Sequence, residues 1–285
     1  MKYRDLYDQG IEKLSSENIA DAKIDARLLL EYACETDRNA LFFKGDMEVS
    51  KEQEQLYFDL ILKRGKHIPL QHLTGEQEFM GLTFEVNEHV LIPRQDTECL
   101  VEIVLKYLHD GMKILDMCTG SGCILISLLH YSNDCMGVGV DLSKDALEIA
   151  KRNAGKLGSN GITDAMKVSF VHSDLFEKVD GKYDIIVSNP PYIKTKVIET
   201  LMPEVKDFEP MMALDGTEDG LYFYRHIIPD AKKHLNRGGQ LFFEIGYDQG
   251  REVSDLMRTA GYVDVEVAKD LAGLDRVVYG TFLEE

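Results

Sequence analysis

The chain has 285 residues, 44% of them hydrophobic and 29% charged, enough for a sizeable core and for one large domain beside a smaller one. No apolar stretch is long enough to span a bilayer, and Met1-Lys2-Tyr3-Arg4-Asp5 leads into mixed-charge sequence without an apolar secretory core, so the expectation is a cytoplasmic protein with no membrane span. The formal charge of −18 (11 cationic against 14 anionic side chains in residues 1–75, 21 against 36 in the remainder) repels a phosphate backbone; it weakens nucleic-acid readings without excluding them and suits a cationic small ligand or a basic protein partner. The cysteines, Cys34, Cys99, Cys118, Cys123 and Cys135, form no paired framework and no CxxC, which fits a reducing compartment.

Residues 1–65 read as short helices. Tyr3, Leu6, Tyr7, Ile11 and Leu14 recur at helical spacing; Ala26, Leu28, Leu29, Leu30 and Ala33 form a second apolar face; Leu56, Phe58, Leu60, Ile61 and Leu62 mark a third. Asp21 or Asp25 is the expected cap of the second helix, and Ser50 with Gln53 has the spacing of a capping box for the third. Phe79–Val86 has strand content with Gly81 as its turn, a hairpin between two domains. A helix is expected from Asp96 or Thr97 to Leu108.

From Lys113 onward strands and helices alternate. Strands are expected at 113–117, 136–141, 168–172, 183–188, 240–245, 262–268 and 276–282, and helices at 122–130, 144–156, 222–235 and 249–260. That is a three-layer α/β domain. The last two strands have only a short Gly-containing connection and should run antiparallel. The expected organisation is a helical bundle over 1–75, a hairpin linker over 76–92 and an α/β domain over 93–285.

Three strand ends carry the chemistry. Asp116-Met117-Cys118-Thr119-Gly120-Ser121-Gly122 lies between strand and helix, where Gly120 and Gly122 permit a tight turn and close approach to a ligand. Asp141 ends the next strand, 19 residues beyond Gly122, placed to accept hydrogen bonds from two ribose hydroxyls. At the third tip, Ser173-Asp174-Leu175-Phe176, Asp174 can approach adenine while Leu175 or Phe176 covers its face. Each is ordinary alone: the loop can be a plain turn, and the aspartates solvated strand ends or N-caps. Their recurrence along one sheet edge points to a nucleoside site. Cys118 would crowd a pyrophosphate but not the smaller amino-acid end of S-adenosylmethionine, and no GxxxxGK[ST] is present.

Asn189-Pro190-Pro191-Tyr192 ends the apolar run Tyr183–Ser188, at the tip where ligands of open α/β sheets bind. A planar NH2 group can be held there by the Asn189 carboxamide oxygen and a main-chain carbonyl, with Tyr192 stacked against it. Two prolines fix φ and remove two donors, leaving free carbonyls. The alternative is a strand and turn stopped by proline.

Together these segments resemble the Rossmann-like methyltransferases that modify planar nitrogen. Pro69–Glu76, Leu91-Ile92-Pro93-Arg94-Gln95-Asp96-Thr97-Glu98, Phe208-Glu209-Pro210 and Asp275–Val278 narrow the resemblance to the glutamine N5-methyltransferases of peptide chain release factors. The resemblance implies a seven-stranded Rossmann-like sheet with an antiparallel last strand, plus the N-terminal bundle and hairpin linker. It implies S-adenosylmethionine as donor, the glutamine of the Gly-Gly-Gln loop of class I release factors as acceptor, and a helical domain that helps grip the release factor. Cofactor contacts are carried onto Cys118, Thr119, Gly120, Ser121, Gly122, Asp141, Asp174, Leu175, Phe176, Asn189, Arg94 and Thr97. Substrate contacts fall on Asn189, Pro190, Pro191, Tyr192, Glu209 and Pro210, with Asn189, Pro190 and Tyr192 as the catalytic set. The chain departs from the family pattern at Cys118, where glycine is usual, at Gln95, where proline is common, and at Leu175, where an aromatic often stands.

Arg94 and Glu98 either position the cofactor's amino-acid end or pair with each other; Glu209 and Pro210 either shape the acceptor wall or form a turn. Asp116 reads as a loop organiser. Ser121 lacks a nucleophile-elbow setting, and no histidine spacing suggests a metal site. The same NPPY geometry also serves adenine-N6 or another exocyclic amine of nucleic acid, which would require base flipping and a basic approach surface. A release-factor binding protein without catalysis is the remaining alternative.

Overall fold

The computed structural model describes residues 1–43, 45–159 and 167–283. The chain divides into two compact units, Met1–Glu76 with Met202–Phe208, and Gln77–Leu201 with Glu209–Glu285.

The first unit contains α1 (Tyr3–Ser16), α2 (Ala22–Cys34), α3 (Ala40–Phe43), α4 (Lys51–Arg64) and α5 (Leu70–Thr74). Leu6 and Leu14 of α1, Leu29 and Leu30 of α2, and Tyr57 and Ile61 of α4 are fully buried together. Gly10 is obligatory here, because a Cβ would collide with the Tyr57 hydroxyl. In α4 the inward stripe is Tyr57, Leu60, Ile61 and Arg64, so Leu56 and Leu62, counted above as apolar face, lie on the solvent side. The Ser50–Gln53 capping box forms reciprocally. The cap expected of Asp21 or Asp25 does not: Asp21 makes no side-chain bond to the helix, and Asp25 lies inside it. The Asp25 carboxylate receives Arg64 Nε at 2.7 Å, while Arg64 Nη1 and Nη2 both donate to Glu204 Oε1 at 3.1 Å. Buried Arg64 thus ties Met202–Phe208 into the helical unit. Burial raises the Asp25 pKa and Arg64 works against that rise.

The second unit opens at Gln77, one residue into the hairpin of β1 (Glu76–Phe79) and β2 (Leu82–Glu85), which reverses at Met80-Gly81, both at positive φ. There follow α6 (Gln95–Leu105), β3 (Lys113–Met117), α7 (Cys123–His130), β4 (Met136–Asp141), α8 (Lys144–Ser159), β5 (Lys167–His172) and β6 (Tyr183–Ser188). Beyond β6 come three single turns, α9 (Thr195–Ile198), α10 (Pro203–Lys206, in the first unit) and α11 (Met211–Leu214). The chain closes with α12 (Tyr222–Ala231), β7 (Leu235–Glu244), α13 (Gly250–Thr259), β8 (Val263–Lys269) and β9 (Asp275–Thr281).

The seven-stranded sheet has the order β5-β4-β3-β6-β7-β9-β8, parallel except for β9, which is antiparallel to both its neighbours. Successive residues alternate between its two faces: Ile114, Ile185, Phe242 and Val277 belong to one core with α6 and α7, Leu115, Ile186, Phe243 and Val278 to the other with α12 and α13. Four boundaries differ from the sequence expectation by three residues or more. α8 runs to Ser159 rather than 156. α12 ends at Ala231 rather than 235, because the amides of Lys233 and His234 turn back onto the carbonyls of Asp230 and Ala231 and Leu235 opens β7. α6 stops at Leu105, where Tyr107 and Leu108 amides turn back onto the Val104 carbonyl. β7 starts at Leu235 rather than Gln240, because Asn236–Gly239 bulges between the pairs Tyr183–Leu235 and Ile185–Gln240. Strand order reverses between β3 and β6, the switch point at which such sheets leave a crevice at their carboxyl ends. Among the described residues no helix is long and apolar enough to cross a membrane.

Candidate active site

The loop after β3 turns through three left-handed residues, Cys118 (φ 62°), Gly120 (φ 55°) and Gly122 (φ 80°). A Cβ on Gly122 would come within 2.9 Å of Ile126 and 3.2 Å of Ala150, so helix packing needs glycine there; one on Gly120 would meet nothing within 4 Å. Asp116, fully buried beneath the loop, receives the Thr119 hydroxyl on Oδ2 at 2.6 Å, and Oδ1 has no partner. Burial pushes the Asp116 pKa up to about 7. Asp116 is therefore the loop organiser expected of it.

Asp141 accepts the Gly120 amide on Oδ2 at 2.9 Å and the Ser143 amide on Oδ1 at 2.8 Å. Burial raises its pKa, and those amides favour the charge. Asn153, absent from the sequence reading, is fully buried in α8; its Nδ2 donates to the carbonyls of Ser121 (2.9 Å) and Glu85 (3.1 Å), and its Oδ1 accepts the Glu85 amide at 2.7 Å. One carboxamide thus locks the glycine loop to the hairpin. Its only sequence signal is an asparagine on the apolar side of an amphipathic helix.

At the tip of β6 the Ser188 hydroxyl donates to the Met117 carbonyl at 2.7 Å, fastening the two strand ends together. Asn189 Nδ2 donates to Thr97 Oγ1 at 3.4 Å. The Tyr192 hydroxyl donates to Glu244 Oε1 at 3.2 Å, and the Tyr192 carbonyl accepts Gln249 Nε2 at 3.1 Å. Gln249 also donates to the Gly220 carbonyl (3.1 Å) and accepts the Gly246 amide (2.9 Å). Gly216 and Gly220 lie against the Tyr192 main chain so closely that a Cβ on either would clash with it. Burial pushes the Glu244 carboxyl up to about 7, opposed by the Thr97 hydroxyl, the Arg276 charge and Tyr192, and burial likewise raises the Tyr192 phenol. Glu244 and Gln249 carried no motif and were missed.

A cavity of about 520 Å3 opens over these strand ends. Of the predicted residues, Arg94, Thr97, Cys118, Thr119, Gly120, Ser121, Asp141, Asp174, Leu175, Asn189, Pro191 and Pro210 line it. Phe176 is not brought there: its ring is buried in the core, stacked on His234 at 4.8 Å, because the left-handed turn at Leu175 (φ 43°) sends the two side chains apart. Gly122, Pro190, Tyr192 and Glu209 are not among its lining residues. The alternative Arg94–Glu98 pair does not form; Glu98 accepts the Met80 amide at 2.7 Å, and Arg94 pairs with buried Glu209. Val90, Met211 and Phe223 add apolar wall that no motif announced. Among the described residues no His, Cys, Asp and Glu cluster could hold a metal ion, and all five cysteines are free.

Residues 5–75 match the PrmC N-terminal domain and residues 95–205 the methyltransferase small domain. The chain is 42% identical over 283 residues to a release factor glutamine methyltransferase of Clostridium acetobutylicum, covering 98% of each chain. It is 40% identical to one from Geobacter sulfurreducens, covering 94% of this chain and 92% of the relative. In fold, a methyltransferase crystal structure from Pyrococcus furiosus matches with a TM-score of 0.51 and 17% identity, over 71% of this chain and 90% of that one.

Proposed function

The chain belongs to the release factor glutamine methyltransferase family, and on that premise we propose that it transfers a methyl group from S-adenosylmethionine to the side-chain amide nitrogen (N5) of the glutamine in the Gly-Gly-Gln loop of class I peptide chain release factors. The observation that carries the reading is Asn189 and Pro191 on the wall of the same cavity as the Cys118–Ser121 loop and Asp141.

The cavity chemistry suits the donor. Asp141 spends one lone pair of each oxygen on main-chain amides and keeps the others for a ribose diol. Leu175 offers an apolar face to a purine, Gly120 adds no side chain that would fill the space, and Arg94 and Thr97 stand at the amino-acid end. When bound, S-adenosylmethionine supplies a methyl carbon made electrophilic by its sulfonium, so transfer asks no nucleophile of the protein.

The protein's task is the acceptor, a poorly basic amide nitrogen. Asn189 Oδ1 and the Pro190 carbonyl accept its two N–H bonds, aim the nitrogen at the methyl carbon and stabilise the positive charge growing on it. The orientation of Asn189 supports this: Nδ2 is engaged with Thr97, leaving Oδ1 as acceptor. Tyr192, held at hydroxyl and carbonyl, limits rotation of the flat amide. Transfer would form one N–C bond for the one C–S bond broken, and one of the amide protons held by Asn189 Oδ1 and the Pro190 carbonyl would pass to water afterwards, when the nitrogen is far more acidic. The helical unit contributes to gripping the release factor, and the enzyme works in the cytoplasm without stable nucleic-acid contacts.

Labelled S-adenosylmethionine with purified release factor, its Gln→Ala variant and unmethylated DNA, followed by peptide mapping, tests this reading. A single methyl on the Gly-Gly-Gln glutamine, absent from the variant, is expected. Label in DNA alone would overturn the protein acceptor while keeping the Asn189 chemistry.

A further inference from the structure

Asn189 works as an acceptor only if its carboxamide faces the substrate with oxygen rather than nitrogen, and something must set that choice. Asn189 Nδ2 donates to Thr97 Oγ1, so the hydroxyl proton of Thr97 must go elsewhere. Thr97 is 3% exposed, and what surface it has faces the cavity. β6 and β7 are neighbours with Ser188 opposite Phe243, which puts Asn189 and Glu244 at adjacent strand ends. Glu244 is 2% exposed; its Oε1 receives the Tyr192 hydroxyl, and its Oε2 is buried with no partner.

We propose, on the reading of function given above, that ionised Glu244 sets the polarity of the acceptor motif: it draws the Thr97 hydroxyl proton, which turns the Thr97 lone pairs to Asn189 Nδ2 and leaves Asn189 Oδ1 facing the substrate amide. With Glu244 protonated, the Thr97 proton turns to Asn189 and the carboxamide presents NH2 to the substrate NH2, donor against donor. Glu244 is a positioning residue acting through Thr97, and through Tyr192 on its other oxygen.

The surroundings make this a switch rather than a fixed charge. α6 presents Asp96, Thr97 and Cys99 to Glu244, α7 presents Cys123, α12 presents Tyr224, the turn after β6 presents Tyr192, and β9 presents Arg276. The Tyr224 hydroxyl is spent on the Glu244 main-chain carbonyl. Arg276 is spent on Asp96 (3.1 Å) and Asp270 (3.0 Å). Among the described residues no cation pairs with the carboxyl; Tyr192 donates to Oε1, and the unpartnered Oε2 is left for the Thr97 hydroxyl. Burial places the titration of Glu244 near neutrality.

Two readouts from about pH 6 to about pH 9 test the proposal: kcat with saturating S-adenosylmethionine, and calorimetric affinity for release factor with S-adenosylhomocysteine bound. In the wild type both should fall on the acid side of about pH 7, kcat by about tenfold per pH unit. Glu244→Gln and Thr97→Val should each lose that limb and run low throughout, whereas Thr97→Ser should restore it. S-adenosylhomocysteine affinity of Glu244→Gln should match wild type, which reports an intact fold. A wild-type profile flat across neutrality, or the same limb retained in both Glu244→Gln and Thr97→Val, would overturn the proposal. Because release-factor affinity is read without turnover, a wild type that binds with the expected pH limb yet methylates nothing would count against the proposed function and for this switch.

Discussion

One guanidinium nitrogen of Arg94, Nη2, lies 2.6 and 2.7 Å from the two carboxylate oxygens of Glu209, joining the segment before α6 to the segment before α11. The Glu209 side chain is 1% exposed and Arg94 40%, so the buried carboxylate needs its partner more than the arginine does. Arg94→Ala should cost about 2 kcal/mol of unfolding free energy in urea titrations. Glu209→Gln, which keeps an acceptor, should cost less than half as much. Equal losses would show that the pair matters only as packing.

Gln249 is the main-chain clamp of the acceptor motif. Removing it frees the carbonyls of Tyr192 and Gly220 and the amide of Gly246, all inside the protein. Gln249→Ala should lower kcat on release factor about 100-fold by loosening the motif, with S-adenosylmethionine affinity changed less than threefold. A variant that loses both in proportion would place Gln249 in general stability instead.

Asn153 joins loop and hairpin, so its loss should appear in cofactor binding. Asn153→Ala leaves the Ser121 carbonyl and both main-chain groups of Glu85 without that partner. S-adenosylmethionine affinity, measured by calorimetry, should fall about tenfold, and hydrogen exchange at Glu85 should speed up. Unchanged affinity with faster exchange would separate the hairpin from the cofactor site.

Asp116 should make stability fall with rising pH. Its folded pKa of about 7 lies above the unfolded value, so the folded state holds the proton more tightly. The contribution is full below about pH 4 and lost as pH climbs to about 7, at most about 4 kcal/mol. Asp116→Asn cannot ionise and still accepts the Thr119 hydroxyl. Its melting temperature relative to wild type should therefore rise between pH 5 and pH 8; a constant difference would mean that Asp116 is already ionised at the lower pH.

Much of this was legible because strand ends announce themselves. The alternation of apolar faces, the glycines at Gly120 and Gly122 and the prolines after Asn189 each follow from local sterics, so one sequence suffices to find them. Phe176 was misplaced because a left-handed residue other than glycine, Leu175, decides which side chain faces the cavity, and no propensity signals that. Leu56 and Leu62 were assigned inward because five apolar residues clustered in one helix segment, whereas only one stripe can face a core. Asn153, Glu244 and Gln249 were invisible for a different reason. Their partners lie 32, 52 and 57 residues away, so their polarity makes sense only after the sheet has formed.

The assignment of Met202–Phe208 to the helical unit has a practical corollary. The polypeptide enters that unit at its beginning and again between Leu201 and Glu209, so no single cut yields two whole parts. A fragment ending at Glu76 would lack Glu204 and leave Arg64 short of one carboxylate, while a fragment starting at Gln77 would carry seven residues cut off from their packing partners. Anyone wishing to study either half alone must splice, not truncate.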